Sequence, residues 1–204
     1  MSHLGVFDWI FVAMMVVCFL IRGPWELRNK KSKAVESRDS GLERFNLLLV
    51  FTGSITMPVL YLATPWFDFA NYRQSLLQGV LGVAVAVAGV YVFWRAHHDL
   101  GRLFSPKLEM KEEHTLVSSG VYSKVRHPMY TAVFLNALAQ TLLLANFVVG
   151  PAFLIAFSIL YFSRIEREEK MMLDHFGSQY EEYQRRTNRL VPSWGSGQQV
   201  SRGS

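Results

Sequence analysis

Two short stretches of this sequence carry side chains of the kinds that bind and react. The first, GVYSKVRHPMY at 120–130, gathers Gly120, Tyr122, Arg126, His127, Pro128 and Tyr130. Gly120 suits a turn or a close approach of backbone to a ligand. Pro128 fixes φ, fits the first turn of a helix and pushes His127 towards an extended conformation. A helix starting there leaves free N–H groups that can hold a carboxylate or a ring nitrogen. Plainer roles fit too: Arg126 at a membrane edge, the tyrosines in an interfacial belt, His127 as a cap. The second stretch begins SRIEREEKMMLDHF at 163 and sets Arg164 four residues before Glu168, and Glu166 four before Lys170, so each pair shares a helical face. Met171, Met172, Phe176, Tyr180 and Tyr183 form an apolar stripe beside those charges, which suggests a helix folded back along a membrane surface. An ionisable pair at such a boundary is a candidate for function.

Other polar residues point less sharply. Asn136 and Gln140 share one face of an apolar segment and suit either interhelical hydrogen bonding or contact with a polar ligand. His97, His98 and Asp99 are adjacent, so the two rings leave a helix on different sides, and no further ligand has metal-binding spacing. No metal site is expected. The single cysteine, Cys18, lies in an apolar run and excludes both a disulfide framework and a cysteine-rich metal centre.

The elements that must position these groups are membrane helices. Half of the 204 residues are hydrophobic, and they fall in long runs separated by short basic connectors. The apolar runs predict five spans, at about 6–21, 47–63, 76–94, 130–145 and 147–162, the last two a tight helical hairpin. Gly53 and Pro58 inside the second are tolerable if neighbours satisfy the freed carbonyls. Gly79, Val83, Ala86 and Gly89 make a small-residue stripe on the third, where another helix can approach. With the N-terminus outside, this topology puts every lysine and arginine but Arg73 in the cytoplasm, as the positive-inside rule favours. The net charge of +5 is thereby a matter of topology and not of nucleic-acid binding. MSHLGVFDW lacks the basic start of a signal peptide, so the first segment is expected to be retained. The Gly/Ser-rich end, 193–204, reads as a disordered tail. Connector 95–128 and the segment from 164 onward then face one compartment, and chemistry belongs where they meet the bilayer.

Those residues resemble a known family. H-x-L-V-x-x-G-x-Y-x-x-x-R-H-P-M-Y, a helical hairpin, and R-x-x-x-E-E-x-x-x-x-x-x-F-G-x-x-Y-x-x-Y are similar to the isoprenylcysteine carboxyl methyltransferases, especially their short prokaryotic members, and to related phospholipid methyltransferases. His97-His98-Asp99-Leu100-Gly101, followed by Phe104-Ser105, resembles the segment leaving the family's third helix. The likeness covers about 80–192, and the first two spans share only hydrophobicity.

The resemblance implies an all-α integral membrane enzyme using S-adenosylmethionine, with a cytoplasmic C-terminal helix covering the cofactor pocket. It divides the chain into an N-terminal two-helix membrane region (1–75) and a methyltransferase core (76–192). It places His114, Leu116, Val117, Gly120, Tyr122, His127, Pro128, Tyr130 and Glu168 at the cofactor, and Arg164 and Glu168 at the reacting end. The expected acceptor is a small or lipid-like molecule delivered from the bilayer and methylated on a carboxylate oxygen or on sulfur. Methylation of a phospholipid amine, a membrane reductase, and a non-enzymatic scaffold binding anionic lipid through its basic loops are the competing readings.

Overall fold

The apolar runs become helices because a backbone surrounded by lipid can satisfy its N–H and C=O groups only internally. The computed structural model describes residues 4–29, 34–37, 41–101, 109–111 and 116–192. In order come α1 (Val6–Asn29), β1 (Ala34–Ser37), α2 (Gly41–Phe51) and α3 (Met57–Ala63), joined by a π-helical turn at Thr52–Thr56. Then follow a 3-10 turn (Pro65–Ala70), α4 (Leu76–Leu100), β2 (Glu109–Lys111), a second 3-10 turn (Gly120–Ser123), α5 (Pro128–Leu143), α6 (Val149–Phe176) and α7 (Ser178–Arg186). Strands β1 and β2 form a small antiparallel ribbon, with Ala34 opposite Lys111 and Ser37 opposite Glu109. The other regular elements among the described residues are helical, apart from two isolated bridges, Asn71 with Asn146 and Val125 with Asn188.

Four helical stretches, Val6–Glu26, Gly41–Ala63, Leu76–Leu100 and Val149–Phe176, are long and apolar enough to cross a membrane. Helix α5, which covers most of the expected segment 130–145, has 16 residues. At a rise of about 1.5 Å per residue it reaches about 24 Å. The helices extend beyond the apolar runs wherever charged side chains continue the turn, as at the end of α1 and of α4. The expected fold-back after 162 is replaced by a straight continuation. Helix α6 carries Arg164 and Glu168 inside the bundle, and the chain reverses only at Gly177. The reason is electrostatic: Arg164 Nη1 lies 3.6 Å from Glu43 and its Nε 3.6 Å from Glu168, so its charge is matched among helices and need not leave them.

The π-helical turn is the consequence of Pro58, which has no N–H to donate into the preceding turn. Gln140 on α5 takes up the freed Gly53 carbonyl at 3.0 Å and also bonds Val149 O at 2.8 Å. Gly53 is required there because a Cβ would stand 2.8 Å from the Ala152 carbonyl oxygen on α6. Helices α1, α3, α4, α5 and the start of α6 share one core, containing Phe11, Met14, Tyr61, Ala86, Leu143 and Val149. At the end where α5 gives way to α6, Asn146 ties the connections together. Its Nδ2 donates to Phe67 O and Asn71 Oδ1, both at 2.7 Å, and its Oδ1 accepts from the N–H groups of Val148 and Val149.

Candidate functional site

The opposite end of the bundle is built around one carboxylate. Glu169, on the last turns of α6, receives Arg126 Nε at 3.1 Å and His127 Nε2 at 3.2 Å on one oxygen. Arg189 donates to the other oxygen at 2.7 and 3.0 Å. These hydrogen bonds hold the Arg189 guanidinium above its ordinary pKa. The backbone repeats the connection: Arg126 N donates to Asn188 O at 2.8 Å, and His127 N to Arg189 O at 3.0 Å. Arg126 also bonds the carbonyls of Gln184 and Thr187, and Thr131 bonds Leu190 O. From α7, the buried Tyr183 hydroxyl donates to Tyr122 O at 2.6 Å. Burial raises the Tyr183 phenol, which keeps it a neutral donor. The segment after α7 is therefore laced onto 122–131.

Glu168, one residue away, is placed differently. Its side chain remains 26% exposed against 8% for Glu169. It accepts from the Tyr130 hydroxyl at 2.5 Å and stands beside Arg164 and, at 3.9 Å, His127 Nδ1. Adjacent helical residues point about 100° apart, so one glutamate faces the tail and the other the bundle interior. What Glu168 faces is a cavity of about 590 Å³. Its upper wall holds Leu116, Val117, Tyr122, His127, Tyr130, Arg164 and Glu168, all seven expected at the site from sequence. The rest of its wall is mostly apolar, formed by α1, α2, the π-helical turn, α4, α5 and α6.

Two expected residues do not line it. Gly120 has φ 61°, and a Cβ there would run into the Asp99 carboxylate, whose Oδ2 accepts from Val121 N at 2.9 Å. Gly120 thus locks the loop to the end of α4. Pro128 is buried at the first position of α5 and shapes the helix start. His114 lies outside the described residues, as does the tail 193–204. His97 is buried with Nδ1 on the Phe93 carbonyl, His98 is exposed, and no metal-holding cluster occurs among the described residues. Asn136 and Gln140 divide their roles: Gln140 is structural, whereas Asn136 reaches the cavity beside Cys18.

Four contributing residues were not anticipated. Glu169 belongs to the Glu-Glu pair, but a sequence does not say which member is tied down. Glu43, 2% exposed, pairs with Arg164 from α2, and its first-turn position there carried no sequence signal. Arg22 and Glu26, paired at 2.7 Å on α1, reach the cavity because that helix runs past its apolar stretch. The i, i+4 spacing of that pair was the available clue.

Long apolar helices enclosing a polar-headed cavity of small-molecule size define a multi-pass integral membrane protein with an internal site. Residues 81–174 match the model of the isoprenylcysteine carboxyl methyltransferase (ICMT) family. The core of the chain is therefore similar to that family over those residues. Over 126 residues it is 35% identical to the protein-S-isoprenylcysteine O-methyltransferase of Saccharomyces cerevisiae, covering 61% of this chain and 53% of that protein. The human protein of the same name is 33% identical over 136 residues, covering 62% and 48%. The solved eukaryotic intramembrane Ras methyltransferase ICMT, without a monobody, superposes with a TM-score of 0.50 at 27% identity, over 74% of this chain and 51% of that one. The chain spans about half the length of these relatives.

Proposed function

We propose that this chain is a membrane methyltransferase that transfers a methyl group from S-adenosylmethionine to the carboxylate of an isoprenylcysteine or a similar lipid-like acceptor. One observation carries the reading: a single cavity joins the polar groups of 122–130 and α6 to an apolar wall deep between the helices. A donor with charged and aromatic parts and an acceptor with a long apolar part need such a two-natured space. In topology, α5 is the short fourth of five spans, the N-terminus is outside, and the site faces the cytoplasm, as the distribution of lysine and arginine favours.

The residues present fit the donor. The cavity lies within the range of about 300–1,000 Å³ common for small-molecule sites. The Glu168 carboxylate can bind an ammonium group, and Tyr122, His127 and Tyr183 offer ring faces and edges. S-adenosylmethionine supplies, when bound, a sulfonium-activated methyl whose positive charge disappears on transfer. The protein's part is alignment and exclusion of water, and alignment can account for about 7–11 kcal/mol of barrier. Tyr130, by donating to Glu168, fixes that carboxylate in one orientation. Arg164 lines the cavity beside Glu168, and its guanidinium can pair with an anionic acceptor head. A carboxylate acceptor is already nucleophilic and needs no strong base.

Calorimetry of the folded, solubilised protein with S-adenosylhomocysteine tests the donor site, and radiolabelled methyl transfer into N-acetyl-S-farnesylcysteine tests the acceptor. Absence of both sinks the reading. Transfer into phospholipid amines in place of the prenylcysteine would move it to the related class.

A further inference from the structure

Two arginine–glutamate pairs of the same spacing line the cavity, and the proposed function uses one of them. Arg164 and Glu168 on α6 are matched from several sides: Arg164 by Glu43 and Glu168, each at 3.6 Å, and Glu168 also by the Tyr130 hydroxyl. Arg22 and Glu26 on α1 meet at 2.7 Å, yet their side chains stay 38% and 41% exposed. An exposed pair of this kind contributes little to folding. It stands in the last turns of the span Val6–Glu26, where ionisable groups are rare outside functional positions. Gly23 lines the cavity between the two in sequence, and a Cβ there would meet no atom within 4 Å, so the wall leaves room beside the pair.

Helix register sets the height of the pair. Phe7 on α1 fills the space over Gly79 on α4, and Cys18 lies 3.6 Å from Nδ2 of Asn136, whose amide oxygen covers Gly89. Leu143 in turn packs at Gly82. Helices α1 and α4 therefore run in one direction and α5 runs against them. From the Cys18–Asn136 contact, one turn brings Arg22 level with Ala132, and two turns bring Glu26 level with Pro128. Those turns of α5 carry Tyr130, the partner of Glu168. The two pairs stand at one level of the cavity.

Joined to Glu26, Arg22 forms a neutral unit that presents N–H donors beside carboxylate acceptors. Its complement is a neutral group with both functions side by side, which an amide supplies: the carbonyl accepts from the guanidinium and the N–H donates to the carboxylate. A free carboxylate in that place would meet Glu26, and a free ammonium would meet Arg22. The acceptor of the proposed function has a nitrogen on the carbon that bears its carboxylate. We infer that Arg22 and Glu26 recognise the amide on that nitrogen, so that this chain selects acceptors whose cysteine is N-acylated, as at the end of a peptide. They determine specificity, while Arg164 remains the partner of the carboxylate. Helix α1 lies outside residues 81–174, so this selection belongs to a part of the chain that the family model does not match. The inference rests on the methyltransferase reading for the nature of the acceptor.

The test gives the full chain in lipid nanodiscs radiolabelled S-adenosylmethionine and one of two acceptors. N-acetyl-S-farnesylcysteine carries the amide; S-farnesylthiopropionate keeps the chain and the carboxylate but has no nitrogen. The wild type should favour the N-acetyl acceptor by about tenfold in kcat/KM, the worth of one hydrogen bond to a charged group. Arg22→Ala together with Glu26→Ala should bring the two acceptors level. Exchanging the charges, Arg22→Glu with Glu26→Arg, keeps a helical ion pair and should not restore the preference, which separates recognition from a structural role. Gly23→Leu, which fills the room beside the pair and removes no charge, should also erase the preference, and so keeps the inference testable if the charge variants do not fold. Calorimetry with S-adenosylhomocysteine should find the donor affinity of each variant unchanged. Equal use of the two acceptors by the wild type, a preference that survives the double alanine variant, or one restored by the exchanged pair would overturn the inference and leave the methyltransferase reading standing. Transfer to neither acceptor would sink that reading and this inference with it.

Discussion

The two ends of the bundle solve one problem, that of pinning chain crossings between helices, with opposite chemistry. At the Asn146 end the ties are neutral: one amide serves four partners, and Gln74 donates to Leu142 O and Leu143 O. At the Glu169 end the ties are ionic, with Arg126, His127 and Arg189 converging on one carboxylate. Neutral amides suffice where the only task is to satisfy buried backbone groups. The ionic hub also fixes His127 and the start of α5, from which Tyr130 reaches Glu168. It is a structural support for the site, placed one residue from a carboxylate that stays open to the cavity. The lesson is that charge by itself does not mark a cavity-lining group; of these adjacent glutamates, the less satisfied one faces the cavity.

The largest test of that contrast is Glu169→Gln. Removing one member of a buried ionic cluster should cost about 3–5 kcal/mol. Thermal denaturation should register the loss, and S-adenosylhomocysteine binding should fall with it, because the tail and His127 lose their anchor. Asn146→Ala should cost about 2–3 kcal/mol through unsatisfied buried groups, yet calorimetry should find ligand affinity unchanged. If affinity fell equally in both variants, the division between a supporting end and a site end would not hold. Glu168→Gln should reverse the pattern, weakening S-adenosylhomocysteine by about 1.5–3 kcal/mol, or roughly tenfold to a hundredfold, with little change in melting temperature. The smallest effect is expected for Tyr183→Phe, about 1 kcal/mol for one hydrogen bond to Tyr122 O. Hydrogen exchange localised to 119–127 and 178–190 would sharpen the comparison if it rose there and not around Asn146.

Much of the site was legible because it is encoded locally. Leu116 to Tyr130 is nearly contiguous, and Arg164 and Glu168 share a helical face by spacing alone, so their convergence on one cavity needed only two segments to meet. Spans in α1, α4 and α6 were legible from hydropathy, although their ends were not, since helices continue through charged turns whenever those charges find partners. Gly120 was marked as special for its backbone, correctly in conformation, but its neighbour is Asp99 and not the cavity. The fold-back expected after 162 failed for a related reason: nothing near Arg164 in the chain announces Glu43, more than a hundred residues earlier.

By itself the sequence determined the helices, the chemistry-bearing stretches and the family likeness of the core, because hydrophobic periodicity and motif spacing are properties of neighbouring residues. Only the tertiary structure decided which of Glu168 and Glu169 faces the cavity, and that α1 and α2 complete it. Each of these depends on partners from distant segments. The pairing energy of a buried charge, and the closing of a space between helices, exist only once those segments are packed together.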